Sequence, residues 1–490
     1  MQSAGLHTTH PASEPYRVFQ KLWPYLLLSV WGLLLYANTF HHEYAYDDDL
    51  IVCNNTYVLK GVQGLGDIFQ KDIFQSYYEQ LHVQGGLQGG RFRPLSLATF
   101  ALEQEFIGTL PNGIQDSSWD ANHNHRADPQ EDVNQDGLWN EQDVLCRGMA
   151  LRHVNNVWLY ILSVCLLFAF LQRFVFKEQV LPSFAVCLLF LTHPLHTEVV
   201  ANVKSRDEIL SFLFMTATLY QGFVYLEGRK LKILLFTLLC YMAALCSKEY
   251  GVTLLMLLPL GIYVLQPERS WKDMRYLLGG LVLVFLIYYG LRSHMVAGFE
   301  YSEEQNKELL NNPFLFATDA QSLATKLFIN LKYIMLLLWP AKLSADYGYQ
   351  VIPYQSWSNI GVWLSMAVLA TLVITLILLY RRRHPLLFPL AYFLFNLLLI
   401  NNFFFSIGAT MGERLIYHSS FGFCLLLAGV GYGLTQRYLK QLPWLFPPVI
   451  LCVALLYSYK TIQRNPAWKN NFTLYSTDVK TYPQSAMLYG

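Results

Sequence analysis

Three consecutive carboxylates, Asp47, Asp48 and Asp49, stand a few residues after an apolar run that ends at Phe40. Adjacent like charges raise one another's pKa, which suits one of the three to take a proton from a hydroxyl nucleophile. In isolation such a triplet is more often a solvated acidic turn, so its weight depends on its company. A second polar block reads His193-Pro194-Leu195-His196-Thr197-Glu198 and continues through Lys204, Arg206, Asp207 and Glu208. Two histidines and a glutamate this close could ligate a metal, but the spacing is not that of a zinc-binding helix. A hydrogen-bonded polar floor to a cleft at the membrane surface fits better, because charged groups beside apolar helices are costly unless they line an aqueous cavity. Lys248-Glu249-Tyr250 and Glu413-Arg414-Leu415-Ile416-Tyr417 add cations that could hold a phosphate, against the plainer alternative of interfacial ion pairs or snorkelling side chains.

These residues sit in a chain of 490 residues that is 54% hydrophobic, 15% aromatic and only 14% charged. Too few charges are present to cover a soluble globule of that size, so lipid must be the main solvent. The formal charge is +1, which gives no sign of a nucleic-acid partner. Apolar runs at 22–40, 154–171, 180–192, 209–226, 231–246, 252–265, 276–291, 360–380, 385–400, 421–434 and 444–457 predict an α-helical polytopic membrane protein of about eleven transmembrane helices with large outer loops. The first run follows Arg17 and Lys21 and shows no small-residue cleavage site, which reads as a retained signal anchor after a cytoplasmic segment, 1–21.

Lys and Arg cluster at Arg173 and Lys177, at Arg229, Lys230 and Lys232, at Arg269, Lys272 and Arg275, at Arg381 to Arg383, and at Arg437 and Lys440. By the positive-inside rule those connections are cytoplasmic. The apolar stretch 323–338 would put Arg381 to Arg383 outside if it crossed, so it is expected to be a re-entrant or interfacial helix within an outer loop, 292–359. The transmembrane domain then covers 22–459, with a first outer loop at 41–153, and an outer tail follows at 460–490. Trp468 to Tyr475, with Pro483, Ser485 and Ala486, looks like the run-in to a tetratricopeptide helix.

Within the first outer loop, composition changes abruptly at 111–146 to Asp, Asn, His and Gly. Asp132, Asn134, Asp136 and Asp143, with Gly137 at the sixth place and the Leu138 carbonyl at the seventh, reproduce the oxygen-ligand spacing of an EF-hand loop. Asp120, Asn122, Asn124, the Arg126 carbonyl, Asp128 and Glu131 repeat that ladder, with His125 where the glycine is expected. Two ladders in succession predict structural calcium that fixes the loop, rather than a catalytic metal. The alternative is a disordered Asp/Asn linker. Six of the eight cysteines lie in apolar segments, and only Cys53 and Cys146 could staple this loop in an oxidising compartment.

Six short blocks in order carry a resemblance. They are Tyr46-Asp47-Asp48, Arg93-Pro94-Leu95, His193-Pro194-x-His196-Thr197-Glu198 with Arg206 and Glu208, Lys248-Glu249, Trp339-Pro340-x-x-Leu343-Ser344-x-Asp346-Tyr347, and Glu413-Arg414-x-x-Tyr417-x-Ser419-Ser420-Phe421-Gly422. In this the chain resembles the transmembrane and tetratricopeptide-repeat (TMTC-like) O-mannosyltransferases and their bacterial relatives, enzymes of the GT-C superfamily. The resemblance implies a GT-C-type glycosyltransferase that moves a sugar from a polyprenyl-phosphate donor to Ser or Thr of secreted or envelope proteins. It places the active site on the periplasmic face of a bacterial inner membrane. It implies Asp47 or Asp48 as base, Glu198 as a second carboxylate, and Arg414 with Arg206 or Lys248 on the donor phosphate. His193, His196, Glu208, Arg93, Asp346, Glu413 and Tyr417 would line the acceptor cleft. Transfer of a whole oligosaccharide, or of sugar to a glycolipid or polysaccharide, is the alternative within the same chemistry. An envelope transporter would carry ionisable residues mid-helix, and an assembly scaffold would need no acidic cluster at the membrane surface.

Overall fold

The computed structural model describes residues 14–80, 91–107, 148–296, 312–348, 351–404, 406–438 and 441–489. Among them there is no β-strand, and the long helices coincide with the apolar runs. They are α1 (Glu14–Tyr36), α2 (Pro94–Ile107), α3 (Met149–Phe170), α4 (Val180–Thr192), α5 (Arg206–Gly228), α6 (Leu231–Ser247) and α7 (Leu254–Leu265). After these come α8 (Trp271–Val296), α9 (Asp319–Leu338), α10 (Ile360–Arg381), α11 (Leu387–Leu398), α12 (Tyr417–Arg437), α13 (Phe446–Arg464) and α14 (Asn471–Thr481).

Six helical stretches are long and apolar enough to cross a membrane, and a seventh arises if α4 and the bent helix Pro194–Ala201 make one span. With α1 and three shorter apolar helices, they occupy the eleven runs read from the sequence. On α10 the side chains of Trp363, Leu364, Val373, Ile374 and Ile377 are exposed, an apolar surface suited to lipid and not to water. The predicted re-entrant stretch lies in α9, one continuous helix of 20 residues that begins at a Thr318–Gln321 capping box. It carries Lys326 and Lys332 inside its length and is absent from the stretches apolar enough to span. The calcium ladders, from Asp120 to Asp143, and Cys146 of the proposed bridge lie outside the described residues.

The bundle centres on α5, which packs most extensively on α6 and also on α3, while α12 lies against α11 and α4. Close helix contact is fixed at Gly422 of α12, where an added Cβ would lie 2.5 Å from the Phe393 backbone nitrogen on α11. Small residues allow such approach in a bilayer, where burial against lipid gives helices little reason to pair. Three breaks in this bundle deliver polar residues to one end. His193, preceding a proline, is held extended, and the chain bends by 52° into Pro194–Ala201, which carries Glu198. Asn202 then caps the turn before α5 by accepting the Ser205 amide at 3.0 Å, and a single 3-10 turn, Arg414–Ile416, precedes α12. The described part of the first loop forms a satellite core of short helices and α2 around Ile51, Val58, Ile68 and Phe100.

Candidate active site

The three neighbouring carboxylates point into three different environments. Asp47 keeps 23% of its side chain exposed and places Oδ2 3.1 Å from Arg414 Nη1 and 3.5 Å from Lys204 Nζ. Asp48 is fully buried; its Oδ1 accepts the Lys204 amide at 2.7 Å and its Oδ2 the Ala45 amide at 3.2 Å. Asp49 lies beside the Asn471 side chain, which partly holds its carboxyl down. The splay begins at Tyr46, whose φ of 62° is a left-handed conformation that L-residues seldom adopt.

Environment separates the acids further. Burial pushes the Asp47 carboxyl up, but Arg414 and then Lys204 together outweigh it and leave it below the usual aspartate value. For Asp48, burial outweighs the amide bonds from Lys204, Ala45 and Val203, and its carboxyl is pushed up to about 7. Burial also raises Asp49, partly opposed by the neighbouring Cys53 and Asn471 side chains. Asp47 is therefore the ionised, partly open member of the triplet, and Asp48 is an anchor that ties the loop to the start of α5.

Arg414 is aimed by Glu198, whose Oε2 accepts the Arg414 amide at 2.8 Å and whose Oε1 lies 3.5 Å from Nη1. Glu198, expected as a second catalytic carboxylate, is almost wholly buried behind the arginine that faces Asp47. A second ionic cluster joins the heads of α5 and α12. Asp207 accepts from Arg93 at 2.7 Å and lies 3.6 Å from Lys248, which also pairs with Glu208, while Arg93 reaches Glu249 at 3.0 Å. His418 Nε2 lies 3.3 Å from Glu208 Oε2. Lys248, Arg93 and Glu208 are thus brought together, within electrostatic reach of Lys204 through Asp207.

Other candidate residues fall elsewhere. Arg206, expected on the donor phosphate, turns the opposite way and is buried among Glu103 at 2.7 Å, Asn156 at 2.6 Å and the Arg152 carbonyl at 3.1 Å, where it joins α2, α3 and α5. His193 and His196, expected in the cleft, are fully buried pins. His193 uses its two nitrogens on the Leu337 carbonyl at 3.1 Å and the Leu195 amide at 3.3 Å. His196 uses its own on Tyr160 Oη and Ser420 Oγ, both at 2.8 Å, so neither ring presents a nitrogen to a ligand. Tyr417 is also fully buried, packed on His196, Phe190 and Phe212.

Glu413 lies one residue before Arg414 and faces the other way. Its Oε1 accepts the Ser344 amide and the Tyr347 hydroxyl, both at 2.6 Å. Burial, only partly opposed by Arg464 and reinforced by Glu198, pushes its carboxyl up to about 8. Tyr347 also lines a groove of about 750 Å³ whose wall includes Phe328, Met335, Trp339 and Ile352, with Lys332 and Lys342. Asp346, expected in the cleft, accepts the Gly348 amide at 3.0 Å and the Ser485 hydroxyl. Among the described residues no group of three His, Cys, Asp or Glu side chains is placed to hold a metal ion. Lys204 and Asn471 were not singled out by sequence. Lys204 lies inside a block already chosen for its charge, whereas Asn471 carries no local signal.

The sequence has similar counterparts among known proteins. A protein O-mannosyl-transferase of Caenorhabditis elegans is 28% identical over 63% of this chain and 42% of its own length. Mouse (Mus musculus) protein O-mannosyl-transferase TMTC4 is 24% identical over 96% of this chain and 64% of its own. Drosophila melanogaster protein O-mannosyl-transferase Tmtc3 is 27% identical over 69% of the chain and 43% of its own length.

In sequence the chain is similar to these transferases. It spans from about two-fifths to under two-thirds of the length of these relatives. No family model matches the chain. A crystal structure of the Archaeoglobus fulgidus oligosaccharyltransferase, tethered with an acceptor peptide, aligns over 93% of this chain and 56% of its own. The alignment has a TM-score of 0.45 at 12% identity.

Proposed function

We propose that this chain is the membrane domain of a GT-C-type glycosyltransferase that moves a sugar from a polyprenyl-phosphate donor to Ser or Thr hydroxyls of secreted or envelope proteins. The observation that carries this reading is Asp47, an ionised and partly open carboxylate held between Arg414 and Lys204 at the polar end of an apolar bundle. In the transfer, Asp47 accepts the proton of the acceptor hydroxyl as that oxygen bonds to the sugar carbon. The bond from that carbon to the phosphate oxygen breaks, and its electron pair leaves on the lipid phosphate. Arg414 and Lys204 stabilise that developing charge. Contact with phosphate draws their charge away from Asp47, so the carboxylate becomes more basic when the donor is in place. The groove beside Tyr347, with an apolar wall and Lys332 and Lys342, supports a place for an amphipathic anionic donor.

Sidedness follows the Lys and Arg clusters, which supports an outer active site, in a bacterial cell at the periplasmic face of the inner membrane. A membrane-impermeant thiol reagent should label cysteine substituted at Gln484 in intact cells and should not label it at Arg382; the reverse pattern overturns this orientation. For the transfer itself, intact masses of envelope proteins are compared between cells with and without the gene. Loss of a fixed hexose-sized increment from Ser- or Thr-modified proteins supports the reading. A lost increment of many sugars points to oligosaccharide transfer, and unchanged masses overturn it.

Calcium in the insertion at 111–146 belongs to the same proposal. The Asp132-to-Asp143 ladder, and the one that precedes it, lie in the loop that carries Asp47. Packed carboxylates repel one another without a cation, so chelation should loosen that loop and slow transfer indirectly. Asp132→Ala combined with Asp136→Ala should mimic chelation. Calcium titration of the purified protein should show saturable binding at or below millimolar concentration, and its absence overturns the assignment.

A further inference from the structure

The geometry points to Asn471 as a positioning residue for Asp47, and to the segment after the last long helix as a strap that sets the catalytic loop. This rests on the transferase reading of Asp47. The strap begins where α13 ends. Asn465 there donates to the Leu35 carbonyl at 2.9 Å and to Asn38 Oδ1 at 2.8 Å, both beside the end of α1. The strap then runs beside the loop that follows α1, with the Glu43 amide donating to the Lys469 carbonyl at 2.9 Å and Asn470 Nδ2 to Glu43 Oε2 at 3.0 Å.

Asn471, the first residue of α14, holds the backbone at the start of the acidic triplet. Its Oδ1 accepts the Tyr46 amide at 2.6 Å, immediately before Asp47, and its side chain stands beside Asp49, two residues after it, whose carboxyl it holds down in part. A left-handed residue such as Tyr46 persists where its surroundings over-determine it. Here the surroundings are Asn471 on its amide, the fully buried Trp468 at 6.3 Å between ring centroids, and the Arg414 guanidinium 5.5 Å over its ring.

The strap is itself anchored to a different outer loop. Asp478 on α14 is fully buried, takes both guanidinium arms of Arg464 and accepts the Ala345 amide at 2.7 Å. Ser485 donates to Asp346, and Tyr482 packs on Tyr347 at 5.7 Å. Ala45, Ala201, Ala345, Trp468 and Leu474 close a small common core beneath. The loops bearing Asp47, Glu198 and Asp346 therefore meet on one element that lies beyond the membrane bundle in sequence. Any change that lifts α14 off this core releases Tyr46 and lets Asp47 swing away from Arg414 and Lys204.

The test compares wild type, Asp47→Asn and Asn471→Ala of the full-length protein in membranes, with transfer followed against donor concentration and pH. Asn471→Ala should lower kcat about 10- to 100-fold with the donor KM nearly unchanged, since a small displacement of a base costs rate rather than binding. The acid limb of its pH profile should move up, because a carboxylate that drifts from its two cations loses the groups that hold its pKa down. Asn471→Asp, which keeps the acceptor oxygen for Tyr46 but meets Asp49 with a second carboxylate, should fall between the two. If Asn471→Ala does not accumulate in the membrane, Asn471→Ser is judged by the same two criteria. Unchanged kcat and profile in the Asn471 variant, with Asp47→Asn inactive, overturn the strap alone. Activity retained in Asp47→Asn overturns the assignment of Asp47 as the base, on which the strap rests.

Discussion

Asp47→Asn should abolish transfer by about 10³-fold or more while the protein still inserts and melts near the wild-type temperature, the size of effect expected when a general base is removed. The side chain is partly open and its contacts are to two cations, so the amide that replaces it leaves no buried acceptor missing. Asp48→Asn should behave in the opposite way. Its two oxygens each accept a buried backbone N–H, and an amide can offer only one oxygen while turning its own NH2 toward the other donor. That mismatch costs about 1–3 kcal/mol of stability, so this variant should melt earlier yet keep much of its rate at low temperature. Thermal melting and initial transfer rates on both purified variants make the comparison. Loss of activity in Asp48→Asn without lost stability, together with an active Asp47→Asn, would exchange the two roles.

The sequence alone could not divide the triplet in this way. Its apolar runs foretold where the helices lie, because the length needed to cross a bilayer is written in consecutive residues. The outer acids and the Lys248 and Arg414 blocks likewise drew attention to groups that do converge. What each acid faces, however, depends on the backbone at Tyr46 and on partners far along the chain: Lys204 for Asp47 and Asp48, and Asn471 for Asp49. A left-handed tyrosine leaves no mark in local composition, and Asn471, next to the Asn470 that caps the helix, carries no local sign that its side chain holds the Tyr46 amide.

The histidine block shows the same limit from the other side. Charge and polarity near a helix end suggested a cleft, but His193 and His196 spend every ring nitrogen on protein partners in the interior. Their task is to hold the 52° break that carries Glu198 to Arg414. Arg206 is misleading for a related reason. It opens the same helix as Asp207 and Glu208, yet successive helical residues point about 100° apart, so it reaches Glu103 while they reach Arg93 and Lys248. Sequence proximity placed these charges at one end of the bundle, and helical phase then distributed them between a structural network and a candidate site.

Arg414→Gln separates the two tasks assigned to this arginine. As a phosphate contact its loss should slow transfer about 10²- to 10³-fold and raise the donor KM, the scale seen when one preorganised stabilising donor is deleted. As the neighbour of Asp47 it should also move the pH profile, and the direction is fixed. In the wild type, burial raises the Asp47 carboxyl while Arg414, followed by Lys204, lowers it by more, so Asp47 stays ionised until the medium is more acid than the usual aspartate value. Without the guanidinium, burial remains and only the weaker pull of Lys204 and then Arg91 opposes it, so the carboxyl must rise. The acid limb of kcat/KM, which reports the free enzyme, should therefore shift to higher pH, and activity should be lost earlier on acidification. Lys204→Gln should shift it in the same direction by less, in keeping with its 3.5 Å separation against 3.1 Å for Arg414. A slow Arg414→Gln enzyme whose acid limb does not move would show that the arginine serves the phosphate alone and that the group titrating in the profile is not Asp47.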